Sequence, residues 1–244
     1  MGSAKEGVVV SMKRKQMTIM AIGGHIGDME LTAGAVLAKH SLLGDRVITV
    51  ALTAGEKGNP KEITTVEYKK QKIEEAKKFA RMLNGEAIVL EYGDGELPDN
   101  EEVRYQVCDL IRKYKPTILI THWKNSIHKD HRNTYKIVKD AQFYAGISGF
   151  KREEPAHYAG GPYYAENWED PEGFTPYIYI DTTEGHELWK KAVSTHWFVT
   201  NSNSFKYLEY YEHLSVVRGA EIRRPHAQAF AVDPMSMKVV KDSF

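Results

Sequence analysis

Two short clusters in this sequence carry residue types that could hold a metal ion. The first is His25 and Asp28, in AIGGHIGDMELTAG, residues 21–34. A spacing of three on the first turn of a helix puts both side chains on one face. An imidazole and a carboxylate suit zinc or a similar divalent cation, although a His–Asp hydrogen bond or a helix cap would use the same pair. The second cluster is HKDHR, residues 128–132. His128 and His131 again stand three apart, with Asp130 between them as a candidate helix cap. Together the clusters fit an open site with three protein ligands, the arrangement of a catalytic zinc, which keeps one position for water. Such an ion lowers the pKa of that water toward about 7, and a nearby donor can stabilise the tetrahedral intermediate. Between His25 and Asp28, where a catalytic acid would be convenient, stands Gly27.

The elements that must position these residues are legible in the first half of the chain. MTIMAI reads as a buried strand, and RVITVALT, EAIVLEY and TILITHW read as further strands. Helical spacing marks ELTAGAVLAKHSLLG, stopped by Gly44, and TTVEYKKQKIEEAKKFARMLNG, capped by Thr64 or Thr65 and ended by Gly85. EEVRYQVCDLIRKYK and RNTYKIVKDAQFYA follow. Strands alternating with helices predict an α/β fold, a mostly parallel sheet with helices on both faces. Ligands in such sheets bind beyond the carboxyl ends of the strands. His25, the Glu56 loop, the Asp94 loop and the run from His122 to His131 all follow strand ends, so they converge on one site. From about residue 147 to 176 the chain is rich in Gly, Pro, Glu and aromatics and reads as one long loop. YIYIDTT then reads as a strand, and EGHELWKKAVSTHWF and FKYLEYYEHLSVVRGAEI each as a helix, forming a C-terminal elaboration.

Composition narrows the partners. A formal net charge of zero argues against a dominant electrostatic role with nucleic acid or an anionic membrane. No apolar run approaches the roughly 20 residues of a membrane-crossing helix, and the N-terminal stretch lacks the roughly 7–15 apolar residues of an export signal. Residues 1–15 read as a flexible arm and 16–244 as a single domain. Cys108, the only cysteine, reads as a buried structural thiol, which together with the missing export signal suits a cytoplasmic protein. The lysines of residues 69–78 read as the solvated side of a helix.

The ordered motifs also carry a resemblance. A strand followed by HxxD and a helix, then LTAGEKG, then DGEL, then HKDHR, resembles the LmbE-like or PIG-L family of metal-dependent N-deacetylases. It runs over about residues 17–145 and more weakly to AEIRRPHAQAF near the C-terminus. The resemblance implies a Rossmann-like fold and a zinc-dependent hydrolase that removes an acetyl or acyl group from an N-acetylglucosamine-type amino sugar or conjugate. It places the metal, zinc or another divalent ion, on His25, Asp28 and His131. His128 would stabilise the oxyanion or protonate the leaving amine, and Asp130 would orient a histidine. Glu56 would contact a substrate hydroxyl or hold a neighbouring loop. Relatives of this kind are frequently trimers or hexamers, so a homo-oligomer acting on a small molecule is implied.

The departures from the family pattern are specific. The usual opening is His-Pro-Asp-Asp-x-Glu; here it is His25-Ile26-Gly27-Asp28-Met29-Glu30. Gly27 replaces the aspartate that serves the family as general base, a loss of typically about 10²–10⁴-fold in rate. Asp94, Glu56 or His226 could substitute, Asp94 because its loop should border the pocket. Lys72 stands where the family carries a substrate-holding arginine, and His226-Ala227-Gln228 stands for Tyr-Ala-Glu. Tyr158, Tyr163, Tyr164 and Trp168 could stack on a sugar or anchor a subunit interface. Three functions follow: a deacetylase, a metal-holding sugar-binding protein with little hydrolysis, or a metalloenzyme of different chemistry in which Gly27 leaves room for a substrate group.

Overall fold

The computed structural model describes residues 14–238. Five strands run parallel: β1 (Thr18–His25), β2 (Arg46–Thr53), β3 (Glu86–Tyr92), β4 (Ile118–Thr121) and β5 (Gly160–Ala165). Two more complete a seven-stranded sheet in the order β3-β2-β1-β4-β5-β7-β6, with β6 at Ile178–Asp181 and β7 at Ala227–Ala231. β7 runs antiparallel to both of its neighbours. The chain leaves β1 toward β2 and β3, then returns to place β4 on the other side. The strand order therefore reverses between β1 and β4, the place where open α/β sheets bind ligands.

Alternation along β1 explains why it is apolar throughout. Ile19 and Ala21 join a core with Leu37, Phe79 and Trp189 on one face. Met20 and Ile22 join Val50, Val107, Ile111 and Ile137 on the other. The first face is covered by α1 (Asp28–Thr32), α2 (Gly34–Leu42), α6 (His186–Val193) and α8 (Tyr207–Glu221); the second by α4 (Glu101–Tyr114) and α5 (Lys129–Gly146). α3 (Thr65–Met82) packs along β2 and β3, with Thr64 as its cap: the hydroxyl accepts from the Glu67 amide. A strand buried on both faces has no solvent side to mark with polar residues.

Several expectations needed revision. ELTAGAVLAKHSLLG is two helices broken at Ala33, whose φ of −126° and ψ of −2° leave the helical region. EGHELWKKAVSTHWF likewise divides into α6 and α7 (Trp197–Asn201). The stretch expected as one long loop contains β5, and AQAFA, which carries no strand signal of its own, forms β7. Of the N-terminal arm, residues 1–13 lie outside the described residues. Arg14 is already anchored, its guanidinium forking onto Asp45 at 2.9 and 2.5 Å. Cys108 is buried, as expected. Among the described residues no helix is long and apolar enough to cross a membrane.

Candidate active site

Three ligand-type atoms meet where β1 ends. His25 Nδ1 lies 3.2 Å from Asp28 Oδ2 and 3.2 Å from His131 Nε2, and the last two are 3.3 Å apart. His25 is the last residue of β1, Asp28 the first of α1, and His131 lies in the first turn of α5. Two ring nitrogens and a carboxylate oxygen in mutual contact offer more lone pairs than protons. A divalent cation resolves that. The edges also match one face of a tetrahedron, about 3.3 Å for metal–ligand bonds of about 2.0–2.1 Å. The donor set and its spacing therefore fit a zinc-like ion.

Each of these ligand-type side chains is itself held. His25 Nε2 faces Asp94 Oδ1 at 3.3 Å and Asp130 Oδ2 at 3.4 Å. Asp130 also accepts the Gly95 amide at 2.7 Å, so the DGEL loop is tied to the start of α5. His131 Nδ1 lies 3.3 Å from Asp170 Oδ1, and Asp170 Oδ2 lies 3.3 Å from His122 Nδ1. His122 Nε2 lies 3.0 Å from both the Gly24 amide and Asp28 Oδ2, so His122 braces Asp28, and with Asp28 and His131 it forms a further group whose atoms could hold a metal. Carboxylates behind metal-ligating imidazoles fix tautomer and ring orientation. Burial works against the protonated imidazole of His25, but Asp28, Asp130 and Asp94 outweigh it and its pKa stands well above the usual value. Burial likewise opposes protonation of His131, yet Asp28 and Asp170 lift it to about 9. Burial would raise Asp28, and His131 and His25 instead hold it well below the usual carboxylate range.

The site opens into a cleft of about 690 Å³. His128 lines it and caps α5, its Nδ1 accepting the Asp130 amide at 3.2 Å. The neutral ring then carries its proton on Nε2. Burial, and then His25 and His131, keep the His128 pKa low, so the ring is a neutral donor rather than a cation. Lys72 and Asp94 also line the cleft. Asp94 is held by its neighbours: its carboxylate faces His25 Nε2 at 3.3 Å and accepts the Lys57 amide at 2.9 Å. Glu56 accepts the Asp94 amide at 3.1 Å and steadies that loop; it does not line the cleft. His226 is not brought there either. It precedes β7, beyond β5, where its ring stacks on His186 at 3.6 Å between centroids and bonds Ser215 at 3.0 Å. Of the four aromatics, Trp168 reaches the cleft, stacked on Phe205 at 4.4 Å. Tyr164 is buried against Trp123, and Tyr158 is exposed.

Gly27 is not a gap. Its φ of +108° is a left-handed conformation that favours glycine, and its amide donates to Glu30 at 3.0 Å. A Cβ built on it would lie 2.4 Å from the Phe198 ring. Phe198, from α7, thus fills the space a side chain at position 27 would need, which overturns the idea that glycine leaves room there for substrate. Phe198 carries no sequence signal for this role. Asp170 and Glu169 were also missed. Both sit in NWEDPEGF, knitted to the histidine loop by the Ile127 amide on the Glu169 carbonyl at 3.0 Å. Glu169 lines the cleft with its carboxylate 3.7 Å from His131 Nδ1.

The fold and this cluster define a Rossmann-like α/β protein with a candidate mononuclear metal centre at the sheet's switch point. Residues 20–142, half of the chain, match the family described as PIG-L, GlcNAc-PI de-N-acetylase, and the chain belongs to that family. It is 24% identical over 226 residues to 4-oxalmesaconate hydratase of Pseudomonas putida KT2440, covering 88% of this chain and 84% of that one. It is 28% identical over 190 residues to diacetylchitobiose deacetylase of Thermococcus kodakarensis, covering 73% and 68%. The crystal structure of the 4-carboxy-2-hydroxymuconate hydratase of Pseudomonas putida KT2440 superposes with a TM-score of 0.83 at 19% identity, over 94% of this chain and all of that one.

Proposed function

We propose that the chain is a metal-dependent N-deacetylase, hydrolysing the acyl amide of an N-acetylglucosamine-type sugar or conjugate. The observation that carries this is the triangle of His25, Asp28 and His131 donor atoms, with edges of 3.2 to 3.3 Å. A zinc-like ion held there would supply Lewis acidity and lower the pKa of water. The chain's own residues do the rest. Asp94 and Asp130 orient His25, and Asp170 orients His131. His128 presents its Nε2–H to the oxyanion or leaving amine. With no side chain at position 27, Glu169 is the cleft carboxyl placed to move a proton, and Lys72 and Trp168 contact substrate. The reading is of a cytoplasmic small-molecule enzyme assembled as a homo-oligomer, a trimer or hexamer, which light scattering would check. The test is acetate release from N-acetylglucosamine and N,N′-diacetylchitobiose with zinc restored, and its loss in His131→Ala. Stoichiometric zinc binding with no acetate release across a broad acyl-amide panel would instead leave a sugar-binding protein.

One observation favours a second reading. The position of the family's base is closed by Gly27 and Phe198, and the hydratase relative spans most of both chains. On this reading the same centre serves addition of water to a carbon–carbon double bond. Incubating the zinc-restored protein with 4-oxalmesaconate and following loss of ultraviolet absorbance separates the two activities.

A further inference from the structure

Lys72 departs from the other lysines of α3. It is 6% exposed, whereas its neighbours on the helix, Lys69, Lys70, Lys77 and Lys78, are not buried. It lines the cleft. Among the described residues its ammonium makes one hydrogen bond, a long one of 3.3 Å to the Gly55 carbonyl, and no carboxylate lies within ion-pair distance. Exposed Lys57 and Lys77 by contrast pair with glutamates at 2.6 and 2.7 Å. An ammonium has three donors, and burying one without a partner is costly.

The surroundings hold this cation in place rather than neutralise it. The nitrogen sits 4.9 Å from the Phe198 ring centroid and 5.6 Å from that of Tyr68, which supplies partial compensation. Gly55 makes room: its φ is +70°, and a Cβ there would fall 2.8 Å from the Lys72 nitrogen. Burial pulls the Lys72 pKa down, while Asp28, Asp94, Glu30 and Glu75 at longer range favour the charged form. The acids that line the cleft, Asp28, Asp94 and Glu169, gather at its histidine end, and the first two are hydrogen-bonded there. Lys61 lines the cleft as well, so it carries lysines besides its acids.

We infer that Lys72, propped on Phe198, is an anion-recognition group, so that the substrate of this cleft carries a negatively charged group, such as a carboxylate, where it meets Lys72. The inference rests on the cleft being the substrate site and narrows the proposed amino-sugar substrate to acidic conjugates, for which the neutral sugars serve as minimal probes of the amide chemistry. A neutral acceptor would satisfy the donors but leave the buried charge unbalanced; an anion does both.

The experiment uses metal-free protein, so that no bound cation can capture the probe, and compares succinate with its neutral isostere succinamide by calorimetric titration. Wild type binds succinate at least tenfold more tightly than succinamide. Lys72→Met and Lys72→Gln both abolish the preference, and Lys72→Arg keeps it. Zinc titration of the same variants stays unchanged, which reports an intact fold, and Lys72→Met melts no lower than wild type because an unpaired buried cation has gone. Equal binding of the two probes by wild type, or a succinate preference that survives in the Met and Gln variants, overturns the inference. Failure of acetate release with the succinate result intact would remove the deacetylase reading alone.

Discussion

Asp170 decides how firmly the candidate centre is set. Its two oxygens reach His131 and His122, each at 3.3 Å, and it is fully buried. Burial disfavours the charged carboxylate, yet these histidines hold it at about 2. Asp170→Asn keeps the shape and removes the charge behind His131. Zinc affinity should fall about 10–100-fold, measured by competition with a chelator, while circular dichroism stays the same; an unchanged affinity would detach Asp170 from the centre. The Gly27–Phe198 contact makes a second prediction. Gly27→Asp should destabilise by about 1–3 kcal/mol through overpacking alone. Phe198→Ala should relieve part of that, giving a coupling of about 0.5–3 kcal/mol in a double-mutant cycle followed by urea unfolding; strict additivity would mean that the ring is not the obstacle. These two residues also mark the limit of the sequence. His25, Asp28 and His131 announce themselves because each sits in a short motif at a strand end. Asp170 is one acid in an acid-rich loop, 39 residues from the imidazole it orients. Phe198 acts through a contact between α7 and the turn after β1, and such a contact has no local spacing to read.

His196 caps the break between α6 and α7 and shows what that break costs. Both ring nitrogens are buried without a hydrogen-bond partner. The ring packs 5.8 Å from Phe79. Burial, and then Lys72, lower its pKa to about 3, against about 6.5 for an unfolded chain. Between those values the unfolded chain binds a proton that the folded one refuses, so stability falls as pH drops from about 6.5 toward 3. His196→Leu removes this term and two unsatisfied atoms. It should raise the melting temperature at pH 7 and flatten the loss between pH 6.5 and 4 in calorimetric scans. An acid limb as steep as wild type would show that His196 does not set it. The elements themselves were readable where hydrophobic period and length agreed, as for β1, β2, α3 and α4. The breaks at Ala33 and Thr195-His196 were not, because both sequences continue an apolar stripe, and the partners met there come from distant parts of the chain: Gln228 bonds the Leu31 carbonyl and the Val36 amide, and Phe79 packs on His196. β5 hid behind Gly160, Gly161 and Pro162, residues that read as turn.

Three segments far apart in the chain close around one point: the β1–α1 turn, the loop from His122 to His131, and the loop of Asp170. The parallel half of the sheet supplies the first two, and β5 delivers the third. The C-terminal half is therefore part of the candidate site, since it contributes Asp170, Glu169, Trp168 and Phe198. A metal bound to the native chain and not to the unfolded one stabilises by mass action, by about 2.7 kcal/mol at a free concentration of 100 Kd. In a domain of this size each kcal/mol shifts the melting temperature by about 2–4 °C. Zinc should then raise the calorimetric Tm by roughly 5–11 °C. Because the proposed ligand set spans residues 25 to 131 and is braced from 170, that gain should appear as one cooperative shift rather than as protection of a single loop. His131→Ala should abolish it, and Asp170→Asn should reduce it in step with its weaker affinity. A zinc-induced rise of the same size in His131→Ala would place the bound ion elsewhere on the molecule and dissolve the argument for this centre.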